Sequence, residues 1–357
     1  MIESTEINNL GPVVHLRWDN LASINLLIGR HGTGKTFVLK ALYCMIRALE
    51  EKRGDEPRSI DEILADKLYW TFQPDRLGDL VRQGADQDLS VKLTLRDEVH
   101  VNEPAVPLQL SFGAAVEKRD IHLEQGQDAF RNARSIFLPA KEMLSLHHLV
   151  LQSRDRDRVF GFDDTYYDLA KALSWQRRSM SLREPAQAAM ARLKAQVGGT
   201  MEQQFNRPWE LGHGATQTWR LKSNGNDYPV GLAAEGARKV AALYFLFLNQ
   251  HLGHNSIIFI DEPESALHPE AISAFMDVIA ALHEAFQGRL QFFIATHSYF
   301  VIKKLYLIAQ QQGLSIPITM ADADMWQTAN LRDGMPPNPI INESIRLYEQ
   351  EIDLALQ

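Results

Sequence analysis

The chain has 357 residues, 45% of them hydrophobic and 23% charged, which suits one large globular domain or two modest ones. A net charge of −8 argues against a surface that grips nucleic acid nonspecifically, although a local basic groove stays open. The single cysteine, Cys44, excludes an internal disulfide and a zinc–cysteine cluster, and the longest apolar run, Val240 to Leu248, is too short to span a bilayer. The start, Met1-Ile-Glu-Ser-Thr-Glu6, has neither the basic residues nor the apolar core of a signal peptide, so the expected compartment is the cytoplasm.

The first segment predicts short strands through Val13–Trp18, separated by Asn9-Leu-Gly-Pro12. An apolar β-prone run then begins at Ile24 and ends at Gly29, where Gly-x-x-x-x-Gly-Lys-Thr follows with Gly29, Gly34, Lys35 and Thr36 in the fixed places. Apolar residues at helical spacing continue from Phe37. Strand, glycine turn and helix together specify a phosphate site rather than an ordinary turn. Glycines let backbone amides converge on a phosphate, and the helix start adds partial positive charge. The expected nucleotide-binding segment is Gly29, Arg30, His31, Gly32, Thr33, Gly34, Lys35, Thr36 and Phe37. In it Lys35 reaches the β- and γ-phosphates, and the Thr36 hydroxyl holds Mg²⁺.

Glu50 to Arg58 is charged, contains Gly54 and Pro57, and reads as an exposed exit from the first helix. Leu89–Leu95 and Leu108–Phe112 alternate, predicting a small antiparallel sheet. Ser135–Leu144 reads as a buried strand broken by Pro139. From about Met143 to Gln204 the pattern is helical and polar. It includes an Ala/Arg/Lys-rich stretch from Pro185 to Gln196, and Arg154-Asp-Arg-Asp-Arg158, expected to be a solvated helix face. Asn224-Gly225 signals a hairpin between Thr218–Lys222 and Asp227–Val230. A helix over Glu235–Leu252 and a strand at Ser256–Ile260 follow.

That strand ends in two carboxylates. A buried parallel strand delivers Asp261 to its C-terminal tip, where ligands bind in open α/β sheets, so Asp261 is the second expected metal ligand. Glu262, one residue on, is placed to orient and deprotonate an attacking water. A third buried strand, Leu290–Ala295, ends in Thr296-His-Ser298, and His297 there could contact the γ-phosphate or the water. Lys35 and Asp261 lie more than 200 residues apart, so a substantial insertion separates the halves of the site.

These residues resemble the ATP-binding-cassette class of ATPases, in its soluble branch with the SMC-type and RecF-type heads. More narrowly, the chain is similar to the ATPase of the OLD (overcoming lysogenization defect) and Septu-type bacterial defence systems. The resemblance covers nearly the whole chain and rests on five motifs: Asn9–Pro12, Phe137–Leu144, Leu232–Lys239, Asp261–Pro269 and Ala295–Ser298. It implies an α/β head of the ABC P-loop type with an antiparallel β subdomain and an inserted helical lobe. It also implies a head-to-tail homodimer, or a higher homo-oligomer, with ATP and Mg²⁺ sandwiched between subunits. Ala233, Ala234, Glu235, Gly236, Arg238 and Lys239 then occupy the signature that completes the partner's site. There Ala233 replaces the usual serine, so contact must come from backbone amides, with the Glu235 carboxylate pointing elsewhere. Glu264, Ser265, Ala266, Leu267 and His268 match the D-loop, which crosses the dimer interface. Glu142 sits near the glutamine-containing loop that senses Mg²⁺, and His31 replaces the common asparagine of the phosphate loop.

The expected domains are an ATPase head over 1–305, with an antiparallel β part at about 1–135 and a helical lobe at about 143–212, then a docking extension over 306–357. OLD enzymes carry a C-terminal TOPRIM nuclease, for which no room is expected after His297. The expected partner is therefore a separate effector, a nuclease or toxin; nucleic acid is a further candidate, and a membrane is not. A nucleotide-gated scaffold that restrains a toxin with slow hydrolysis, and a RecF- or SMC-like DNA-repair head, are the competing readings. His251 and His254 lack a third metal ligand, and the adjacent His147 and His148 point to different helix faces, so both pairs are set aside.

Overall fold

The apolar runs become strands because both of their faces are covered. We describe residues 1–54, 56–96, 105–118, 120–127, 129–174, 184–195, 198–206, 216–249, 251–322 and 325–355 of a computed structural model. Strands β1 (Ile2–Leu10) and β2 (Val13–Trp18) form a hairpin, and β3 (Ile24–Gly29) runs into helix α1 (Lys35–Glu51) through the glycine turn. Helix α2 (Ile60–Phe72) follows, then the antiparallel strands β4 (Leu89–Leu95), β5 (Val106–Phe112) and β6 (His122–Gln125). These join the first hairpin in one sheet of order β2-β1-β4-β5-β6.

The central sheet is assembled from distant parts of the chain. It contains β7 (Ile136–Leu138), β11 (Ile257–Asp261), β12 (Gln291–Thr296), β13 (Pro317–Asp322) and β14 (Met325–Asn330), in the order β14-β13-β3-β12-β11-β7. All neighbours are parallel except β13 and β14. Alternation along each strand divides the core in two. Ile24, Leu26, Ile28, Ile258, Ile260, Phe292 and Ile294 face helices α6 (Glu235–Leu248), α7 (Pro269–Ala285) and α8 (Tyr299–Gln312). Leu27, Ile257, Phe259, Phe293 and Ala295 face α1, α2 and the antiparallel sheet. The buried Gln291 side chain is satisfied: it accepts from the Ile2 amide at 2.8 Å and donates to the Ile2 carbonyl at 2.7 Å, tying the two sheets together.

The inserted lobe holds α3 (His147–Gln152), α4 (Asp164–Ser174) and α5 (Glu184–Ala195), but it is not wholly helical. Within the stretch expected to be helical to Gln204, Thr200–Asn206 forms β8, which pairs with β9 (Thr216–Ser223); β10 (Asn226–Pro229) completes a second antiparallel sheet. Pairing decides the matter: Met201 and Trp219 are buried, with the Trp219 ring 4.4 Å from Phe245 of α6. The boundary expected near 212 lies outside the described residues, as does the last residue of the Ala/Arg/Lys-rich stretch, Gln196. The Asn224-Gly225 hairpin forms, with both residues at positive φ.

Three further expectations are corrected. Glu50 is no exposed exit; it is completely buried, with Arg131 at 2.6 Å, Arg47 at 3.0 Å and the Ser135 hydroxyl donating at 2.7 Å. The expected solvated face holds for the exposed Asp155–Arg158 but not for Arg154, whose guanidinium lies 3.3 Å from the Trp70 ring centroid and 2.8 Å from Asp164. The segment after residue 305 is not merely an extension, because β13 lies directly beside β3 in the core. The helix α9 (Pro339–Ala355) is mostly exposed, Leu347, Tyr348 and Leu354 among its exposed residues. Among the described residues no helix is long and apolar enough to cross a membrane.

Candidate functional site: a phosphate loop facing two strand tips

The phosphate loop is held open by its glycines. Gly29, Gly32 and Gly34 have φ of 155°, 79° and 91°. A Cβ at Gly29 would lie 2.8 Å from the Ala321 Cβ, and one at Gly34 would lie 2.7 Å from Val13. The upstream Asn9–Pro12 motif now has a physical reason: the β1–β2 turn packs against the start of α1, where a Cβ at Gly11 would meet the Phe37 ring at 2.6 Å. Phe37 spends its side chain on this packing and on Phe72, so only its backbone stays with the loop. The exposed Arg30 uses its carbonyl to accept from Thr33 Oγ1 at 2.9 Å.

Thr36 and Asp261 meet. The Thr36 hydroxyl lies 2.9 Å and 3.2 Å from the two Asp261 carboxylate oxygens, across a sequence separation of 225 residues. Burial pushes the Asp261 carboxyl up to about 6, with Glu262 adding to the rise and the Thr36 hydrogen bond opposing it. A hydroxyl and a carboxylate are hard oxygen donors, which fits Mg²⁺. Lys35 Nζ donates to the carbonyls of Gly29 at 2.8 Å and Arg30 at 2.9 Å. Burial lowers its pKa, against the pull of Glu262, Asp261 and Glu264.

Glu262 stands on strained backbone, with φ of 45°, pinned by its amide to the Ala295 carbonyl at 2.9 Å. Its carboxylate lies 3.2 Å from His297 Nδ1. Glu264 joins the tips of β11 and β12: it accepts from the Thr296 hydroxyl at 2.6 Å and the His297 amide at 3.1 Å. His31 reaches the same place, its ring centroid 4.6 Å from that of His297.

The signature-like segment starts α6 with no side-chain cap, so the first amides of the helix have no intrahelical partner; Ala234 and Glu235 there are exposed residues. Ala233 is buried beneath them. Gly236 packs against the turn expected to be the D-loop, where a Cβ would stand 2.5 Å from the Ala266 carbonyl oxygen. Ala266 itself has φ of 62°, Ser265 and Leu267 close the turn with backbone bonds to Glu262 and Glu264, and His268 caps α7. Lys239 donates to the carbonyls of Glu262 at 2.6 Å and Ala140 at 3.1 Å. Burial brings it down to about 8, although Glu264, Asp261 and Glu262 oppose the shift.

Arg238 and Glu142 do something else. Arg238 folds back to the Ala233 carbonyl at 2.6 Å, with its Nε 3.0 Å from Glu142. Glu142, expected near the metal, gives its buried carboxylate to Arg238 and Ser145 instead. Lys40 and Asp163 are residues that sequence reasoning missed. They pair at 2.7 Å, joining the helix after the phosphate loop to the start of α4, and Tyr166 of α4 lies near enough to Asp261 to feel its charge. No sequence signal marks them, because the contact spans 123 residues.

Residues 24–303, from β3 into α8, match the family model described as "AAA domain, putative AbiEii toxin, Type IV TA system". This chain belongs to that family. Among solved structures, this AAA-domain chain is similar to an SMC head bound to the C-winged helix domain of ScpA, at 13% identity and a TM-score of 0.55, covering 92% of this chain and 97% of that one. It is also similar to an Smc head domain with an extended coiled coil, bound to the C-terminal domain of ScpA derived from Pyrococcus furiosus. There the identity is 11% and the TM-score 0.54, with 98% of each chain covered. The recombination mediator protein RecF matches at 11% identity and a TM-score of 0.46, over 92% of this chain and 98% of that one. No match was found among curated proteins. The fold is that of ABC-type P-loop ATPases, α/β with added antiparallel sheets, and family and fold alike are those of ATPases.

Proposed function

We propose that this protein binds ATP with Mg²⁺ and hydrolyses it, closing head-to-tail with a second copy to control a separate effector, a nuclease or toxin, in defence against phage. The observation that carries the hydrolytic reading is the Thr36–Asp261 contact of 2.9 Å, which joins phosphate loop and strand-tip acid in one pocket. Thr36 and Asp261 would hold the metal, which supplies charge neutralisation at the phosphates. Lys35 turns from its carbonyls to the β- and γ-phosphates, Glu262 takes a proton from the attacking water, and His297, 3.2 Å from Glu262, orients that carboxylate and the γ-phosphate. The uncapped helix start at the exposed Ala234 and Glu235 suits the γ-phosphate of a partner's nucleotide. The effector reading is supported by the toxin-system description of the family and by the exposed apolar residues of α9.

Glu262→Gln is the test. The variant should still bind ATP and Mg²⁺, lose turnover by at least about 10²-fold, and accumulate as dimer in light scattering. Undiminished turnover would overturn the role of Glu262. The SMC-head likeness of the fold favours a second reading, a DNA-acting head, which predicts turnover stimulated by DNA and binding that weakens steeply with salt. Turnover that stays slow with and without an effector would instead favour a nucleotide-gated scaffold.

A further inference from the structure

At the mouth of the phosphate loop three side chains converge that an oxygen-only magnesium site does not need. One donor atom each from His31, Glu262 and His297 lies within 4.8 Å of the others. We propose that these residues form a second cation site, selective for Zn²⁺ or a similar borderline-soft divalent ion, which when filled withholds Glu262 from water activation.

The donor set is the first argument. Two imidazoles and one carboxylate suit zinc and its transition-metal congeners, whereas Mg²⁺ takes oxygen ligands and holds its own water. Geometry is the second. A tetrahedral ion with bonds of about 2.0–2.1 Å sets neighbouring ligands about 3.3 Å apart. His297 Nδ1 and Glu262 Oε1 already stand at 3.2 Å. His31 needs only a side-chain rotation to close the third edge; its ring is tilted 57° to that of His297, and the residue is exposed.

Support from behind is the third argument. Glu262 is fixed by its amide to Ala295, and the His297 amide is fixed by Glu264, whose Oε1 lies 3.5 Å from His297 Nδ1. The other Glu264 oxygen is buried without a hydrogen-bond partner among the described residues. The local charge is also right: Asp261, Glu262 and Glu264 gather here, while Lys35 and Lys239 donate to main-chain carbonyls. Glu262 and His297 are part-exposed, so an ion can enter and water can complete its shell. An ion on the Glu262 carboxylate draws off its negative charge and makes it a weaker base toward the attacking water. The binding half rests on these side chains alone; only the inhibitory half rests on the ATPase reading.

The test is calorimetric titration of the full chain with Zn²⁺ in a nucleotide-free, non-chelating buffer. We expect one ion per protomer, at least about tenfold weaker in His31→Asn and in His297→Asn. His122→Asn, an exposed histidine on the antiparallel sheet, should bind as the unaltered chain does. Thermal melts of each variant separate lost binding from lost folding, and Zn²⁺ should raise the melting temperature only where both histidines remain. Absence of stoichiometric binding, or full binding by both variants, overturns the site. In a second arm, buffered Zn²⁺ is added to MgATP turnover and then removed with a chelator. Loss and recovery support the inhibitory half, and unchanged turnover in a zinc-loaded protein overturns it. A chain that turns over no ATP refutes the ATPase reading and the inhibitory half with it, while the titration still decides the site.

Discussion

Two clusters of acids lie at opposite ends of α1, and they are wired in opposite ways. At its C-terminal end Glu50, Glu51, Asp164 and Asp168 meet cations directly: Lys67 stands 2.9 Å from Asp168, 3.1 Å from Asp164 and 2.8 Å from Glu51, and Arg47 and Arg131 close on Glu50. At its N-terminal end Asp261, Glu262 and Glu264 have Lys35 and Lys239 nearby, yet both ammonium groups donate to backbone carbonyls. The first cluster neutralises itself and locks α1 and α2 to the inserted α4. The second keeps its carboxylates for something that arrives from outside. Charge density alone does not separate a strut from a receptor; where the cations point does.

Removing a cation from the closed cluster should have the largest effect. Lys67→Met removes the central cation and leaves buried Asp164 and Asp168 with only Arg154 and Arg47 as countercharges, and should cost about 3–5 kcal/mol in urea unfolding. A loss under about 1 kcal/mol would break the comparison. The open cluster should respond with the opposite sign. Burial raises the Asp261 carboxyl to about 6, so its ionised form costs stability at neutral pH. Asp261→Asn should therefore stabilise the nucleotide-free chain by about 1–3 kcal/mol while abolishing Mg²⁺-dependent ATP binding; destabilisation would place Asp261 with the struts.

Acid gives the smallest effect and the sharpest contrast. Burial alone would raise the Asp168 carboxyl, but Lys67 and Arg47 outweigh it and hold the group well below the usual carboxylate range. A depressed acid contributes its full stability above about pH 4 and loses it as pH falls toward the folded value. The stability difference between the unaltered chain and Asp168→Asn should thus be flat above pH 4 and shrink below it. The slope expected is about 1.4 kcal/mol per pH unit, read from denaturation midpoints across that range.

Much of the central architecture was legible because its signals are local. Gly29, Gly34, Lys35 and Thr36 carry their meaning in eight consecutive positions, and β11 and β12 announce themselves as unbroken apolar runs ending in polar tips. Features that depend on distant partners were not legible. Glu50 looks like solvent-loving charge until Arg131 and Ser135, more than 80 residues on, are folded against it. Thr200–Asn206 reads as polar helix because Glu202, Gln203 and Gln204 follow Met201 without a break, which leaves no alternation to count. Glu142 matched a motif by position, and it was Arg238, reaching across from α6, that claimed its carboxylate. The imidazole of His31 is silent in sequence for the same reason: its neighbours are on other strands.

The order of the central sheet has a consequence for synthesis. Strand β3 emerges early, yet the strands on either side of it, β12 (Gln291–Thr296) and β13 (Pro317–Asp322), are translated far later, each on the other side of the inserted lobe. A nascent chain leaving the ribosome therefore carries an apolar strand and a glycine loop with no flanking partners for most of its translation. The phosphate loop should therefore gain its framework abruptly, once β12 and β13 have emerged, and the waiting segment is where a chaperone would be needed most.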